Sequence, residues 1–259
     1  MPPRRALSLA LLAPLLLIAG NAQGADCQPA SRVSTCIDAD NLWHRPGSAQ
    51  FLAVAGTAAA ASGQMTFGLM AAYQRRPIVF RLPSSEPGGS DAYAIDDQVN
   101  ASLLWSYGLG RGIELTAAAP VTLYQTGVGT SPLTSQDSLP IVRSALRDVR
   151  LGFNASLLAR PGGTVGAGPA VSVRGELILP SGDETLFAGG RGVGFAPSAV
   201  ADYRVGPVVV GAEFGLRQRR PVEIAGSTVG TMLYESLGVS VDVLGERLSF
   251  AAEAFALQG

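Results

Sequence analysis

Residues 148–157 read Asp148-Val149-Arg150-Leu151-Gly152-Phe153-Asn154-Ala155-Ser156-Leu157. Apolar side chains alternate in this stretch with polar or small ones. Because successive side chains of a β-strand point to opposite faces, a strand here would present one apolar face and one polar face. A similar alternation recurs about nine times between Gln64 and Phe255, with glycine-rich breaks between the copies. This part of the chain is therefore predicted to consist of antiparallel β-strands.

The connections between the predicted strands alternate in length. The strands lie at approximately 64–73, 97–107, 112–124, 147–159, 169–180, 196–205, 207–218, 231–243 and 247–257. The connections 74–96 and 125–146 are long, whereas 108–111 and Gly206 are short. Short periplasmic turns and longer extracellular loops are typical of outer-membrane barrels. The sequence thus predicts an all-β fold, an antiparallel up-and-down transmembrane β-barrel of about ten strands.

The number of predicted strands raises a question about closure. Antiparallel barrels of single bacterial chains have even strand numbers, and about nine strands are recognisable here. Two expectations stay open: residues 49–56 supply a tenth strand, or the barrel is incomplete at its C-terminal end.

The two faces of the predicted strands differ in charge. One face is apolar, with residues such as Phe67, Leu103 and Phe250. The other carries both signs of charge, at Glu114, Arg150, Arg174, Glu176, Asp202, Arg204, Glu213, Arg217 and Glu253. Burying these groups in the core of a sandwich costs several kcal/mol each unless all are paired, whereas a hydrated barrel lumen accommodates them as an Arg–carboxylate network. We therefore predict that the apolar face contacts lipid and that the charged face forms a lumen network.

Two observations keep an alternative open. Glu235 falls on the apolar phase of its strand, which suits a lipid-facing surface only near the outer rim or beside a bulge. Alternation alone also fits a secreted, soluble β-sandwich used for adhesion or binding, in which the apolar faces would be buried.

The N-terminus has the pattern of an export signal. Arg4 and Arg5 precede an apolar run at 7–20 and the small residues at 22–24. This order of charge, apolar run and small residues is typical of a secretory signal peptide, here residues 1–24. The predicted location of the mature protein is the outer membrane.

Residues 25–63 separate the signal from the strands. They are predicted to form a periplasmic leader with one possible short strand, followed by an outer-membrane β-barrel domain at 64–259. Cys27 and Cys36 are the only cysteines, and in an exported chain they are predicted to form a disulfide. A metal site is not expected at these cysteines, because His44 alone does not complete a tetrahedral ligand set.

Composition does not point to catalysis. The formal net charge of −1 indicates no affinity for nucleic acid, and His44, in the predicted leader, is the only histidine. We predict no catalytic residue and no cofactor. The expected role is structural or that of a narrow solute pore, and the expected partners are outer-membrane lipid, lipopolysaccharide and, if the lumen conducts, small solutes.

Two stretches carry a resemblance to a known family. They are Leu146-Arg147-Asp148-Val149-Arg150-Leu151-Gly152 and Gly175-Glu176-Leu177-Ile178-Leu179-Pro180-Ser181-Gly182-Asp183. The chain resembles the N-terminal barrel of OmpA-family outer-membrane proteins of the myxobacterial and wider proteobacterial type, over about residues 48–257. The resemblance implies a barrel without catalytic residues. It also implies a C-terminal periplasmic domain that binds peptidoglycan, which is absent from this sequence, so peptidoglycan is an expected partner only if such a domain exists.

Overall fold

The chain folds into strands joined by turns and irregular connections. The computed structural model describes residues 35–47, 50–82, 89–131, 141, 144–224, 227–243 and 248–259. The predicted signal peptide and Cys27 lie outside the described residues. The strands are β1 (Met65–Leu82), β2 (Ser90–Gly110), β3 (Ile113–Thr126), β4 (Ala145–Leu146), β5 (Arg150–Leu158), β6 (Gly168–Ile178), β7 (Gly194–Val205), β8 (Val208–Arg217), β9 (Val222–Ile224), β10 (Ser227–Val229), β11 (Met232–Val243) and β12 (Leu248–Gln258). In the described part of the chain, no helix is long and apolar enough to cross a membrane.

The strands form an antiparallel meander. Within the described ranges, one sheet has the order β1-β2-β3-β5-β6-β7-β8-β11-β12, with β4 paired to β3, and β9 and β10 form a separate hairpin. The large sheet curls into a half-barrel. Among the described residues, β1 and β12 each pair along one edge only. The predicted all-β, up-and-down antiparallel fold is confirmed, in the form of an incomplete barrel.

The predicted bounds of the first long connection are wrong. Residues 74–82 and 90–96, predicted as parts of a loop, instead extend β1 and β2, and their pairing continues to Leu82 opposite Ser90. The pairing survives because the register shifts between Arg75 and Ile78, where Arg76 adopts a left-handed φ of 54°. Of the two alternatives for closure, the tenth strand at 49–56 is not found at residues 50–56, which are bends and irregular chain.

The faces of the sheet have the predicted polarity. Apolar side chains cover the convex face, where Leu69, Phe67 and Phe250 are 75%, 73% and 65% exposed. Ala101 departs from the pattern, since it belongs to the predicted apolar face and is buried. Charged side chains occupy the concave face and are buried there, so the interior of this fold is polar and its exterior is apolar.

The described part of the predicted leader fills the concave side of the sheet. We call residues 35–47 and 50–61 the lumen segment. It begins at the end with long connections, where the Ala39 amide donates to the Phe187 carbonyl at 2.9 Å. It finishes at the end with short turns, where the amide of Gly63, directly after it, donates to the Gly108 carbonyl at 2.8 Å. The segment predicted to lie apart from the barrel therefore supplies its interior.

Candidate functional site

The nine predicted lumen residues lie on the inner face of the sheet. Glu114 is on β3, Arg150 on β5, Arg174 and Glu176 on β6, Asp202 and Arg204 on β7, Glu213 and Arg217 on β8, and Glu253 on β12. All are buried except Asp202 and Glu253, which are half-buried. Their common orientation follows from the alternation of each strand, because residues two apart share a face.

Glu176 is the centre of the main charge cluster. Its carboxylate lies 3.3 Å from an Arg150 nitrogen and 3.3 Å from an Arg174 nitrogen. Arg45 of the lumen segment lies 3.5 Å from Glu176 and 2.9 Å from Glu213. Arg45 therefore joins β6 to β8 across the interior. Burying these charges is costly, and mutual pairing is what compensates for it.

Two carboxylates hold the backbone of the lumen segment. Glu253 accepts hydrogen bonds from the amides of Leu52, Ala53 and Val54 at 2.8, 2.7 and 3.2 Å. Glu213 accepts one from the Ala55 amide at 2.9 Å. Several amides converging on one carboxylate is a common way to bind an anion, and here it fastens the segment to the wall.

Two glycines make room for an aromatic ring beside these carboxylates. Phe51 packs against Gly211 of β8 and Gly238 of β11, which are paired across the strands. A Cβ at Gly238 would lie 2.7 Å from the Phe51 ring, and one at Gly211 would lie 2.9 Å from it. The inner wall therefore has a slot whose depth requires glycine.

A second charge cluster lies at the end with short turns. Arg160 pairs with Asp202, and Arg204 pairs with Asp242 at 2.7 Å. Thr57 of the lumen segment donates to Asp202 at 2.5 Å. A cavity of about 350 Å³ lies between these residues and the lumen segment.

Four arginines surround the start of the lumen segment at the opposite end. We call Arg147, Arg150, Arg217 and Arg219 the arginine belt. Arg217, Arg150 and Arg219 place their guanidinium carbons 3.9, 4.5 and 5.2 Å from the ring centroid of Trp43. Asp38 pairs with Arg147 and, at 3.4 Å, with Arg219. Arg217, a predicted lumen residue, thus points into the interior, and Arg219 faces the same indole ring.

The predicted lumen residues do not all take part in ion pairs. Glu114 is 1% exposed, and within the described ranges its carboxylate has no ion pair and its Oε1 has no hydrogen-bond partner. Arg217 likewise has no carboxylate within ion-pairing distance among the described residues, although it donates to the Asn41 carbonyl at 3.3 Å. Glu253 binds backbone amides rather than an arginine.

Sequence reasoning missed the contributions of Asp38, Trp43 and Arg45, because all three lie in the predicted leader. A signal was available: Trp43 and the apolar run at 51–54 are unusual in a solvated linker. Cys36 is buried in an apolar cluster with Phe187, but its predicted disulfide partner is outside the described residues, so the pairing stays a prediction.

Two acids near the long connections have shifted pKa values. Burial raises the pKa of Asp148 to about 6, although its carboxylate accepts hydrogen bonds from the Gly190 and Gly182 amides at 2.7 and 2.9 Å. Burial also opposes ionisation of Asp38, but Arg147 and Arg219 outweigh it and lower its pKa to about 2. Asp38 is therefore a carboxylate at neutral pH, and it neutralises part of the arginine belt.

The interior is held together by ion pairs and by contacts of arginine guanidinium groups with the rings of Trp43 and Tyr234. His44 is 3% exposed, and its Nδ1 has no hydrogen-bond partner among the residues that the structure describes. In the described part of the chain, no three His, Cys, Asp or Glu side chains are grouped as metal ligands.

No protein-family model matches the chain, and no curated protein matches it at a significant level. The fold and site define a class, a half-barrel with an apolar exterior and a charged interior that its own N-terminal segment fills.

Proposed function

We propose that this chain is an outer-membrane β-barrel protein with a structural role, whose lumen is closed by its own N-terminal segment. The observation that carries the proposal is the inverted polarity of the sheet. Large apolar side chains are exposed along the convex face, while most of the charged residues on the concave face are buried. Water disfavours an apolar surface of this extent, whereas the hydrocarbon region of a bilayer is a matching environment.

The packed interior supports a structural role in preference to an open pore. The lumen segment occupies the concave side and is held by Glu213, Glu253 and Arg45. Ion pairs across the interior tie neighbouring strands together. Conduction would require the segment to move.

The soluble sandwich makes a different prediction about the convex face. A sandwich buries its apolar faces against each other. Here these faces are exposed and the charged faces are covered by the lumen segment. The proposed OmpA-family relationship is consistent with the barrel, and it remains a proposal because no family model supports it.

A pair of matched substitutions tests the membrane assignment. Leu237 lies in the middle of β11 and is 64% exposed, while Leu109 lies at the short-turn end of β2 and is 50% exposed. In a bilayer, an arginine costs about 2–4 kcal/mol at the midplane and about 0–1 kcal/mol near the interface. We expect Leu237→Arg to reduce the heat-modifiable, folded form in outer-membrane fractions strongly and Leu109→Arg to reduce it little.

A soluble protein would respond differently to the two substitutions. A soluble protein tolerates both arginines, because both positions are already exposed to water. Recovery of the parent protein without detergent, together with equal tolerance of the two substitutions, would contradict the membrane assignment.

A further inference from the structure

Within the described ranges, two carboxylates, Asp38 and Glu176, lie at ion-pairing distance from the four guanidinium groups of the arginine belt, and the buried Asp40 lies near Arg147 and Arg150 without pairing with them. Asp38 pairs with Arg147 and Arg219. The carboxylate that pairs with Arg150 is Glu176, which also pairs with Arg174 and Arg45. Arg217 has no carboxylate partner among the described residues, and its Nε is buried without a hydrogen-bond partner. Like charges brought together in a protein interior favour the binding of an anion.

The belt is assembled from separate parts of the wall. Arg147 precedes β5, Arg150 begins it, Arg217 ends β8 and Arg219 follows β8. Their guanidinium groups converge on residues 38–43 of the lumen segment. Guanidinium groups bind carboxylate and phosphate oxygens through directed hydrogen bonds, so several of them form a site suited to a small oxyanion.

The group now in this site is a carboxylate. Asp38 bridges Arg147 and Arg219, and it belongs to the lumen segment rather than to the sheet. The side chains of Arg219 and Asp38 are 11% and 6% exposed, compared with 0% for Arg147 and 3% for Arg150, so this is the least buried edge of these ion pairs. We propose that the arginine belt is a binding site for small anionic solutes bearing a carboxylate or phosphate, which Asp38 occupies in this structure.

The inference deepens the proposed function, on which it rests for the location of the site. The belt lies at the end with long connections, which faces the outside of the cell in the proposed orientation. An anion that enters from that side competes with Asp38 for the belt. Release of Asp38 frees the start of the lumen segment, so anion binding and the closed state of the lumen oppose each other.

Trp43 provides a direct readout of the belt. The chain has two tryptophans, and Trp105 is on the convex face, so Trp105→Phe leaves Trp43 as the sole indole. Its ring lies 3.9 Å from the Arg217 guanidinium carbon, and an anion bound there alters its surroundings. The probe is inorganic phosphate, titrated at constant ionic strength with chloride as the replaced anion.

The expected result is a saturable change in Trp43 emission in Asp38→Ala. The protein with Asp38 intact should require a phosphate concentration at least about tenfold higher, because phosphate must compete with the carboxylate. Arg217→Gln combined with Asp38→Ala should abolish the response. Asp202→Ala, which removes a carboxylate from Arg160 at the other end, is the matched control and should behave like the parent.

Two outcomes of the phosphate titration would contradict the anion site. If Asp38→Ala does not fold, Asp38→Asn and the parent protein are titrated in the same way, and the absence of a saturable response in every folded variant refutes the site. If Asp202→Ala responds to phosphate at the same concentrations as Asp38→Ala, the response is not specific to the arginine belt. These outcomes are independent of the Leu237→Arg experiment, since phosphate binding is measured on purified protein whether or not the chain enters a membrane.

Discussion

Single side chains in this protein depend on one another because they are buried together. Glu176 receives three guanidinium groups, and all four side chains are almost inaccessible. The ion pairs compensate for the free energy lost when these charges are removed from water. Removing one partner therefore leaves the others buried without compensation. Surface pairs lack this dependence because water screens and solvates each charge.

Neutralising Glu176 should therefore be strongly destabilising. We expect Glu176→Gln to lower the free energy of unfolding by about 3–5 kcal/mol, because Arg45, Arg150 and Arg174 would lose a shared partner. Asp96→Asn is the matched control: it removes a pair with Arg76 in which both side chains are more than 40% exposed. That change should cost less than about 1 kcal/mol. Urea unfolding in detergent micelles measures both, and equal losses would contradict the role given to burial.

The lumen segment acts as an element although it has no regular secondary structure. It is held by side chains at intervals: Asp38 at the belt, Arg45 at Glu176, and the amides at 52–55 at Glu253 and Glu213. Phe51 fits the glycine slot between the last two carboxylates. Because the segment makes few hydrogen bonds of its own, its conformation is set by the wall.

The glycine slot gives the segment a testable point of attachment. We expect Gly238→Ala to destabilise the fold by about 1–3 kcal/mol, because the new Cβ would overlap the Phe51 ring. Gly68→Ala is the control, since its nearest atom, Leu104 Cβ, is 3.6 Å away. Combining Gly238→Ala with Phe51→Ala should cost less than the sum of the two single changes, as measured by a double-mutant cycle in urea. Additivity would show that Phe51 does not occupy the slot.

Within the described part of the chain, the large sheet has two free edges, at β1 and β12. Within the described residues, eight antiparallel pairings connect the nine strands on the path from β1 to β12. Each pairing reverses the strand direction, so β1 and β12 run in the same direction. β12 is largely exposed on both faces. An unpaired edge offers backbone donors and acceptors to any strand that approaches it, and in a bilayer such groups need a partner. A strand that paired with both edges in antiparallel fashion would have to run opposite to them.

Hydrogen exchange tests whether the β12 edge is free. In detergent micelles, we expect the amides of β12 to exchange faster than those of β7, because β7 is paired on both sides. Mass spectrometry of peptic fragments measures the difference. Protection of β12 equal to that of β7 would mean that its edge is covered.

The strand positions and the orientation of their faces follow from local sequence. Alternation with a period of two acts on neighbouring residues, so the run around Phe153 places its apolar side chains on one face of the strand without reference to the rest of the chain. The same rule places Arg174, Glu176 and Glu213 on the inner face. These features are recognisable from ten residues at a time.

The lumen segment and the pairing of the charges depend on distant contacts. Arg45 and Glu176 pair although they are 131 residues apart in the chain, and the sequence around either residue does not predict its partner. The extension of β1 and β2 likewise depends on contacts between the two strands. Their register shifts near Arg76, but the pairing continues beyond the shift. Local patterns therefore separate the apolar face of each strand from its charged face. Only the tertiary structure places residues 35–47 and 50–61 in the interior, because the curved sheet brings Glu176, Glu213 and Glu253 within reach of Arg45 and of the amides at 52–55.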